Sequence, residues 1–175
     1  VVLGGEVGGG SRSIEFGESF SETEDWDVIS FNGLDSGVTL DLSQVNSNYD
    51  STATSDGQVV AYVDGAEGVF GTSQSDTIAG DGSRNILHGG DGTDSVSGGA
   101  GEDLISGGLG ISDTVFGGAG EDILIDLDGG NLYGDDGGVR EDDTFVAGQN
   151  TTIEDFDLSP DGAGLSGRSN QVNDI

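Results

Sequence analysis

A glycine- and aspartate-rich motif of nine residues recurs through the middle of the chain and restricts its fold more than any other feature. Successive copies read GTSQSDTIA from Gly71, GDGSRNILH from Gly80, GGDGTDSVS from Gly89, GGAGEDLIS from Gly98, GGLGISDTVF from Gly107, which has one extra residue before its aspartate, and GGAGEDILI from Gly117. The sixth position carries Asp76, Asn85, Asp94, Asp103, Asp113 and Asp122, and the eighth carries Ile78, Leu87, Val96, Ile105, Val115 and Leu124. Degenerate copies begin at Asp126 and Gly134. A short repeat of this kind indicates a solenoid.

The two halves of the motif have different physical roles. The first six residues predict a turn, because glycine adopts positive φ without strain and allows backbones to approach closely. The last three predict a short strand in which the eighth residue points inward and its two neighbours point outward. One apolar residue per repeat cannot form a core alone, so coils of two nonapeptides must stack on one another. Stacking predicts two parallel sheets that face each other across a thin apolar core.

The same stacking is expected to align the sixth-position side chains in two columns. Asp76, Asp94 and Asp113 form the first column, and Asn85, Asp103 and Asp122 form the second. Neighbouring carboxylates would lie about one strand spacing apart, ~4.8 Å, so a cation is needed to offset their repulsion. Carboxylate oxygens and glycine carbonyls, about six to eight per ion, select Ca²⁺ over Zn²⁺ or Cu²⁺.

We therefore predict several bound Ca²⁺ ions and, because metal affinity here is folding free energy, a disordered calcium-free chain. Asn85 is expected to contribute the weakest ligand of the second column. The predicted ligands are Asp76, Asn85, Gly89, Gly90, Gly92, Asp94, Gly98, Gly99, Gly101, Asp103, Gly107, Gly108, Gly110, Asp113, Gly117, Gly118, Gly120, Asp122 and Asp143.

Composition supports a calcium-dependent fold and excludes several other partners. The formal net charge is −30 and only 32% of the residues are hydrophobic, a combination that usually indicates disorder. The repeat restricts that interpretation to the calcium-free state. Because a chain this acidic repels phosphates and anionic lipid headgroups, we expect no nucleic acid partner. No apolar run approaches the ~20 residues of a membrane span, and we expect no membrane insertion.

The repeats resemble those of the RTX (repeats-in-toxin) family, whose nonapeptide is Gly-Gly-x-Gly-x-Asp-x-apolar-x. The resemblance covers roughly residues 71 to 146, and the segments before and after the repeats are similar to those that flank such rolls in secreted proteins. It implies a parallel β-roll, calcium binding and export by a type I system that reads an uncleaved C-terminal signal. The expected location is therefore extracellular, or the surface of a cell or virion.

Some copies depart from the family pattern. The loop at 80–85 has Ser83 in place of glycine and Arg84 beside Asn85. Ile111-Ser112 contains an inserted residue, Asn131 replaces the expected Asp in the copy at 126–133, and 138–141 interrupt the last loop. Sites that involve these loops are expected to be weaker.

The predicted fold class is all-β: a right-handed parallel β-roll, a two-sheet solenoid of 18-residue coils, with a β-rich N-terminal cap. The expected divisions are 1–70 for the cap, 71–146 for the calcium-binding roll and 147–175 for a C-terminal cap or tail. Within the cap, strands are predicted at 13–20, 28–31, 38–42 and 59–63, and a polar loop at 43–58. Its small core is expected to contain Phe16, Phe20, Trp26 and Phe31.

The outward strand positions differ between the two sheets. On one sheet the seventh position carries Thr77, Ser95 and Thr114, whereas on the other it carries Ile86, Leu104 and Ile123. An apolar row on a solvent face suggests a docking surface. Either a protein partner or neighbouring domain, or the chain's own cap or C-terminal segment, would cover it.

The sequence contains no persuasive catalytic site, and we predict that the chain is not an enzyme. It has no cysteine, its lone His88 lies at an outward strand position, and the HExxH and GxSxG motifs are absent. The favoured function is a calcium-binding, non-catalytic module of an exported or surface-displayed protein, such as an adhesin, surface-layer, fibre or virion component. The alternative is an accessory module of a secreted enzyme such as an alginate epimerase or metalloprotease, with catalysis in another domain and a polysaccharide as partner. Ice binding would need a more regular threonine array than Thr77, Ser95 and Thr114 supply.

Overall fold

The structure, a computed structural model, describes residues 13–14, 26–44, 51–63, 65–135, 143–153 and 171–172. Within these ranges every regular element is a β-strand, and there is no helix long and apolar enough to cross a membrane. The strands in chain order are β1 Ser13–Ile14, β2 Val28–Ser30, β3 Val38–Asp41, β4 Ser51–Ser55, β5 Gln58–Val63, β6 Gly68–Phe70, β7 Thr77–Ala79, β8 Ile86–Asp91, β9 Ser95–Ala100, β10 Leu104–Leu109, β11 Thr114–Ala119, β12 Ile123–Asp126, β13 Asn131–Asp135, β14 Thr144–Ala147, β15 Thr152–Ile153 and β16 Gln171–Val172.

The strands form two mostly parallel sheets, as the repeat predicted. The first sheet has the order β16-β14-β12-β10-β8-β6-β2, and the second has the order β1-β5-β4-β3-β7-β9-β11-β13-β15. Even-numbered and odd-numbered strands from β6 to β15 thus alternate between the two sheets, so each pair of strands completes one coil. The all-β, parallel solenoid architecture is confirmed.

Each strand from β7 to β14 contributes one large apolar side chain to the core between the sheets. Ile78, Val96, Val115 and Leu132 stack in register on one side, and Leu87, Ile105, Leu124 and Phe145 stack on the other. All eight are at most 1% exposed. The eighth position of the motif is therefore the core position, because alternation along each short strand leaves only that residue facing the opposite sheet.

The segment before the repeats contributes strands to the same two sheets. β2 pairs with β6 and β3 pairs with β7, both in parallel, so both sheets continue into this segment without a break. The boundary expected between residues 70 and 71 lies between β6 and β7. Ile29, Leu40 and Phe31 are each at most 1% exposed and extend the apolar core beyond the first nonapeptide.

A β-hairpin begins at Ser51, so the polar loop predicted at 43–58 is wrong from that residue onward, while 45–50 lie outside the described residues. β4 and β5 pair antiparallel, with Ser55 opposite Gln58. Asp56 and Gly57 form the two-residue turn with φ of 50° and 72°. An Asp-Gly turn with both φ values positive matches the twist of the flanking strands. The hairpin forms because alternate residues face the core: Ala53, Ala61 and Val63 are buried, and the residues beside them are less buried.

The aromatic core predicted for the N-terminal segment is only partly correct. Phe31 is buried, but Trp26 is 47% exposed and lies beside the exposed Arg84, whose guanidinium carbon is 5.6 Å from the ring centroid. A cation over an aromatic face is a favourable arrangement at the surface. Phe16 and Phe20 lie outside the described residues, as do most of 13–20 and of 147–175.

Candidate metal centre

The sixth-position aspartates of alternate repeats form a hydrogen-bonded column along one edge of the roll. The Oδ1 atom of Asp94 accepts the backbone N–H of Asp76 at 2.8 Å, and Oδ1 of Asp113 accepts that of Asp94 at 2.8 Å. Oδ1 of Asp76 accepts the N–H of Val38 at 2.5 Å, which continues the column onto β3. Each carboxylate is thus held by the backbone of the preceding coil, because one coil of 18 or 19 residues returns the chain to the same edge.

The second column has the same construction on the opposite edge. Oδ1 of Asp103 accepts the N–H of Asn85 at 2.7 Å, Oδ1 of Asp122 accepts that of Asp103 at 2.9 Å, and Oδ1 of Asp143 accepts that of Asp122 at 2.9 Å. Asp143 therefore continues this column, although 21 residues separate it from Asp122. Part of the intervening segment, 136–142, lies outside the described residues.

In three of these carboxylates the second oxygen has no protein donor. The Oδ2 atoms of Asp94, Asp103 and Asp113 are buried and make no hydrogen bond, while the three residues are at most 2% exposed. A buried charged oxygen without a partner costs several kcal/mol, and natural proteins avoid it unless a counter-charge is present. These oxygens therefore meet the requirement of a cation site: they are negative, buried, aligned and not used by the protein.

Burial also changes the acidity of these groups in the absence of a cation. Burial raises the pKa of Asp94 to about 7. The hydrogen bond from the backbone N–H of Asp76 lowers this pKa, while the negative charges of Asp113 and Asp76 raise it. Burial likewise raises the pKa of Asp103 to about 6 and raises that of Asp113. Neighbouring carboxyls in a low-dielectric site resist simultaneous ionisation, and a bound divalent cation reverses that preference.

The first glycine of each repeat makes room for the carboxylate of the same repeat. A Cβ atom on Gly89 would lie 2.5 Å from Oδ2 of Asp94, and one on Gly107 would lie 2.7 Å from Oδ2 of Asp113. Gly98, Gly117 and Gly134 have the same relation to Asp103, Asp122 and Asp143. The carboxylate folds back over its own turn, and no larger residue fits beneath it.

Most of the other predicted glycines adopt backbone conformations that side chains disfavour. Positive φ values between 105° and 134° occur at Gly90, Gly92, Gly99, Gly101, Gly108, Gly118 and Gly120. A Cβ on Gly110 would overlap the backbone carbonyl of Gly92 in the preceding coil. Successive turns thus contact one another backbone to backbone, which brings carbonyl oxygens next to the columns. Their role as calcium ligands remains a prediction.

The loops that depart from the motif have individual explanations. Asn85 is buried, its Oδ1 accepts the N–H of Asp81 at 3.0 Å, and its Nδ2 has no hydrogen-bond partner. The inserted residue at 111–112 is accommodated by Ser112, which has φ of 83°. Asn131 does not occupy the sixth position, contrary to the interpretation from sequence. It pairs with Thr114 in the seventh, and Gly130 stands opposite Asp113.

Sequence reasoning missed two acidic residues at the end of the first column. Asp126 is 1% exposed and Asp128 is partly buried, and with Asp113 they offer carboxylate oxygens that all lie within 4.8 Å of one another. Asp126 is the last residue of β12 and stands where the motif has its first glycine. An aspartate at a glycine position does not fit the repeat pattern and was therefore overlooked. The only signal in the sequence is the pair Asp126 and Asp128, one residue apart, in the coil after Asp113.

A parallel β-solenoid with two columns of buried, backbone-held aspartates defines a class: repeat proteins that bind divalent cations between successive turns. Residues 70–124 match the model of the RTX calcium-binding nonapeptide repeat (four copies), in overlapping segments 70–105, 80–112 and 89–124. The protein therefore contains RTX repeats, and RTX repeats bind Ca²⁺. A search of curated proteins finds no match for the chain.

Proposed function

We propose that this chain is a calcium-dependent, non-catalytic structural or interaction module of an exported or surface-displayed protein, and that it folds when it binds Ca²⁺. One observation carries the proposal: Asp94, Asp103 and Asp113 are buried in the two columns, and each is held by the protein through Oδ1 while its Oδ2 is left for a cation. At a net charge of −30, repulsion between the acidic side chains destabilises the compact state until cations bind.

Export is supported by the chemistry of the sites and by the repeat type. RTX repeats are typical of secreted proteins. Calcium is scarce in the cytosol and plentiful outside the cell, so a roll that needs Ca²⁺ to fold would stay unfolded until it leaves. A weakly binding site suffices there, because extracellular calcium modules operate with dissociation constants of about 10⁻⁴–10⁻³ M.

The proposed non-catalytic role is supported by the structural use that the aspartate columns and His88 already have. The columns use the buried aspartates of the repeats. His88 packs edge-on against Phe70 with ring centroids 5.7 Å apart, and burial lowers its pKa despite the nearby Asp91. A neutral imidazole packed against an aromatic ring is part of the surface of the first sheet.

We further propose that the row of Ile86, Leu104 and Ile123 is where another domain or protein docks. The three residues are adjacent in the sheet register, on the outward face, and Ile123 is 43% exposed. The opposite sheet shows Thr77, Ser95 and Thr114 at the equivalent positions.

Replacing Ile86, Leu104 and Ile123 together by threonine should abolish self-association or partner binding, measured by light scattering. Calcium-dependent folding, measured by circular dichroism, should be retained.

One feature supports the alternative of a polysaccharide-binding accessory module. Phe116 and Tyr133 stack on the outward face of the second sheet, with centroids 4.8 Å apart and planes 18° apart, and Phe116 is 39% exposed. Exposed aromatic pairs offer apolar area with a polar edge. A glycan-array screen in calcium, with Phe116→Ala as the comparison, decides this: loss of a specific glycan signal in the variant would favour the alternative.

The main proposal is tested by calcium titration of the whole chain. Far-UV circular dichroism and small-angle scattering should show an expanded, unordered chain in chelator and a compact β-rich chain in millimolar Ca²⁺, since binding and folding are coupled. Equal concentrations of Mg²⁺ should be much less effective, because Mg²⁺ requires stricter octahedral geometry. If the chelated chain is already folded, and Ca²⁺ changes neither its spectrum nor its melting, the proposal fails.

A further inference from the structure

The acidic cluster at Asp113, Asp126 and Asp128 lies at the end of the first column, where the nonapeptide pattern has stopped. The family match ends at residue 124, so Asp126 and Asp128 lie beyond it. Their carboxylate oxygens and one of Asp113 lie within 4.8 Å of one another. Three carboxylates at this distance repel strongly unless a proton or a cation lies between them.

The strand register shows how this loop differs from the regular ones. In a regular repeat glycine occupies the first position and aspartate the sixth. Here Ser106 pairs with Ile125 and Thr114 with Asn131, so Asp126 stands at the first position and Gly130 at the sixth. The two residue types have exchanged places. A Cβ on Gly130 would overlap Oδ2 of Asp126, so a carboxylate still fills the turn but comes from its other end.

Each of the three carboxylates is held by the protein through one oxygen only. Oδ1 of Asp126 accepts the N–H groups of Asp128 and Gly129 at 3.1 and 3.0 Å and the hydroxyl of Thr151 at 2.9 Å. Oδ2 of Asp128 accepts the N–H of Gly110 at 2.9 Å. Asp113 is held through Oδ1 by Asp94.

The remaining oxygen of each carboxylate is buried and has no hydrogen-bond partner. These atoms are Oδ2 of Asp113, Oδ2 of Asp126 and Oδ1 of Asp128. Asp113 and Asp126 are at most 1% exposed, so bulk solvent does not reach their carboxylates. Buried carboxylate oxygens without donors are rare in folded proteins, because buried charges are normally paired or coordinate a metal ion.

We propose that Asp113, Asp126 and Asp128 form a further Ca²⁺ site, outside the nonapeptide motif, that fastens the end of the first column. This proposal rests on the function proposed above. Oxygens at about 2.3–2.6 Å from one Ca²⁺ ion are at most about 5 Å apart, so a spread within 4.8 Å fits a single ion. The carboxylates come from the turns at 107–113 and 126–130, and Thr151 ties the next turn to Asp126. An ion here would connect three successive turns and extend calcium-dependent order past residue 124.

The site is tested by counting ions in matched variants of the full chain. Asparagine keeps one oxygen to accept the protein's N–H and O–H donors but replaces the unpartnered oxygen by an amide. Asp126→Asn and Asp128→Asn should each lower the calcium stoichiometry by one ion, measured by native mass spectrometry and calorimetry. The control is Asp35→Asn, which removes the same charge from an exposed position and should leave the count unchanged.

A direct structural measurement covers the case in which a variant fails to fold. Crystals of the unaltered chain grown in Ca²⁺ should show an anomalous-scattering peak between the three carboxylates. Peaks along the two columns with none at this cluster, or an unchanged ion count in both variants, would overturn the proposed site but leave the calcium-dependent function intact. A chain that binds no calcium at all would instead overturn the function.

Discussion

At the scale of single residues, the aspartate and the glycines of each turn form one unit. The carboxylate of Asp103 closes over Gly98 and accepts the N–H of the preceding coil through one oxygen. Its other oxygen is left for a cation. The glycine is required by the space beneath the carboxylate and the aspartate by the charge it supplies, so substitutions at the two positions should have different signatures.

Substitution of the first glycine should destabilise the folded roll. A Cβ on Gly98 would overlap Oδ2 of Asp103 and would lie 2.6 Å from the carbonyl oxygen of Gly117. Overpacking of this kind costs about 1–3 kcal/mol. We expect Gly98→Ala to lower the free energy of unfolding by this amount in denaturant titrations with saturating calcium.

Gly82→Ala is the matched control, because a Cβ there would meet no atom within 4 Å. It should be neutral or slightly stabilising, since alanine restricts the unfolded chain by about 0.4–1 kcal/mol relative to glycine. Equal effects of the two substitutions would show that the turns are not packed as described.

Restoring the aspartate at position 85 should strengthen calcium binding. Asn85 stands in line with Asp103 but presents a buried amide nitrogen without a partner. Asn85→Asp adds a ligand charge, and we expect roughly tenfold tighter binding at one site, the scale on which ligand charge tunes calcium affinity. Calorimetry measures the affinity. In chelator the same variant should be less stable, because it adds an uncompensated buried carboxylate; a variant with weaker calcium affinity would contradict the expectation.

At the scale of strands, alternation separates the core from the surface within each three-residue segment. Leu87 is 1% exposed and faces the opposite sheet, while Ile86 beside it points outward. The pattern was readable from the repeat, because each copy places an apolar residue at the same offset from its aspartate. Pairing register then transmits that arrangement from coil to coil.

Truncation of neighbouring apolar residues should therefore have unequal effects. Leu87→Ala should reduce the free energy of unfolding in calcium by about 2–5 kcal/mol, the usual result of a cavity in a packed core. Ile86→Ala should cost about 1 kcal/mol or less, as expected for a surface substitution. Chemical denaturation of both variants checks this, and a larger loss for Ile86→Ala would reverse the assignment of the two faces.

The strands outside the repeat were predicted less completely, for physical reasons. β2, β3 and β5 were predicted near their observed bounds because they contain runs of β-branched residues. β4 was missed because its sequence STATS is polar and small. Pairing with β5 across the Asp56–Gly57 turn determines the structure of β4. The Asp-Gly pair was the hairpin signal in the sequence, but the polar composition around it favoured a loop.

At the scale of the whole molecule, the protein is a stack of coils in which the same charges recur at each level. Burial raises the pKa of Asp94 to about 7 and that of Asp103 to about 6. Without calcium, the folded columns thus hold protons that the unfolded chain has already lost near neutral pH. The negative charge of the whole chain, −30, adds to the tendency to unfold.

The metal-free fold should consequently be favoured by acid. Because the folded pKa values exceed the ordinary carboxyl value of about 3.9, the folded state binds more protons, and its stability falls as pH rises from about 4 to about 7. In chelator we expect folded structure to increase as pH is lowered through this window. In calcium the dependence should reverse, because Ca²⁺ must displace the protons. Parallel pH titrations by circular dichroism measure both; a chelated chain that gains structure as pH rises would refute this account.

The sequence by itself determined the solenoid, its inward residues and the identity of both aspartate columns. These features depend on the nine-residue period of the sequence. When coils of equal length stack, that period places equivalent residues of successive coils side by side in the sheets. Only the tertiary structure decided that β2 and β3 extend the two sheets, that β4 and β5 form a hairpin beside them, and that Asp126 and Asp128 join Asp113. These contacts connect residues whose spacing follows no repeat. They depend on which strands pair at the sheet edges and on which carboxylates the turns bring together.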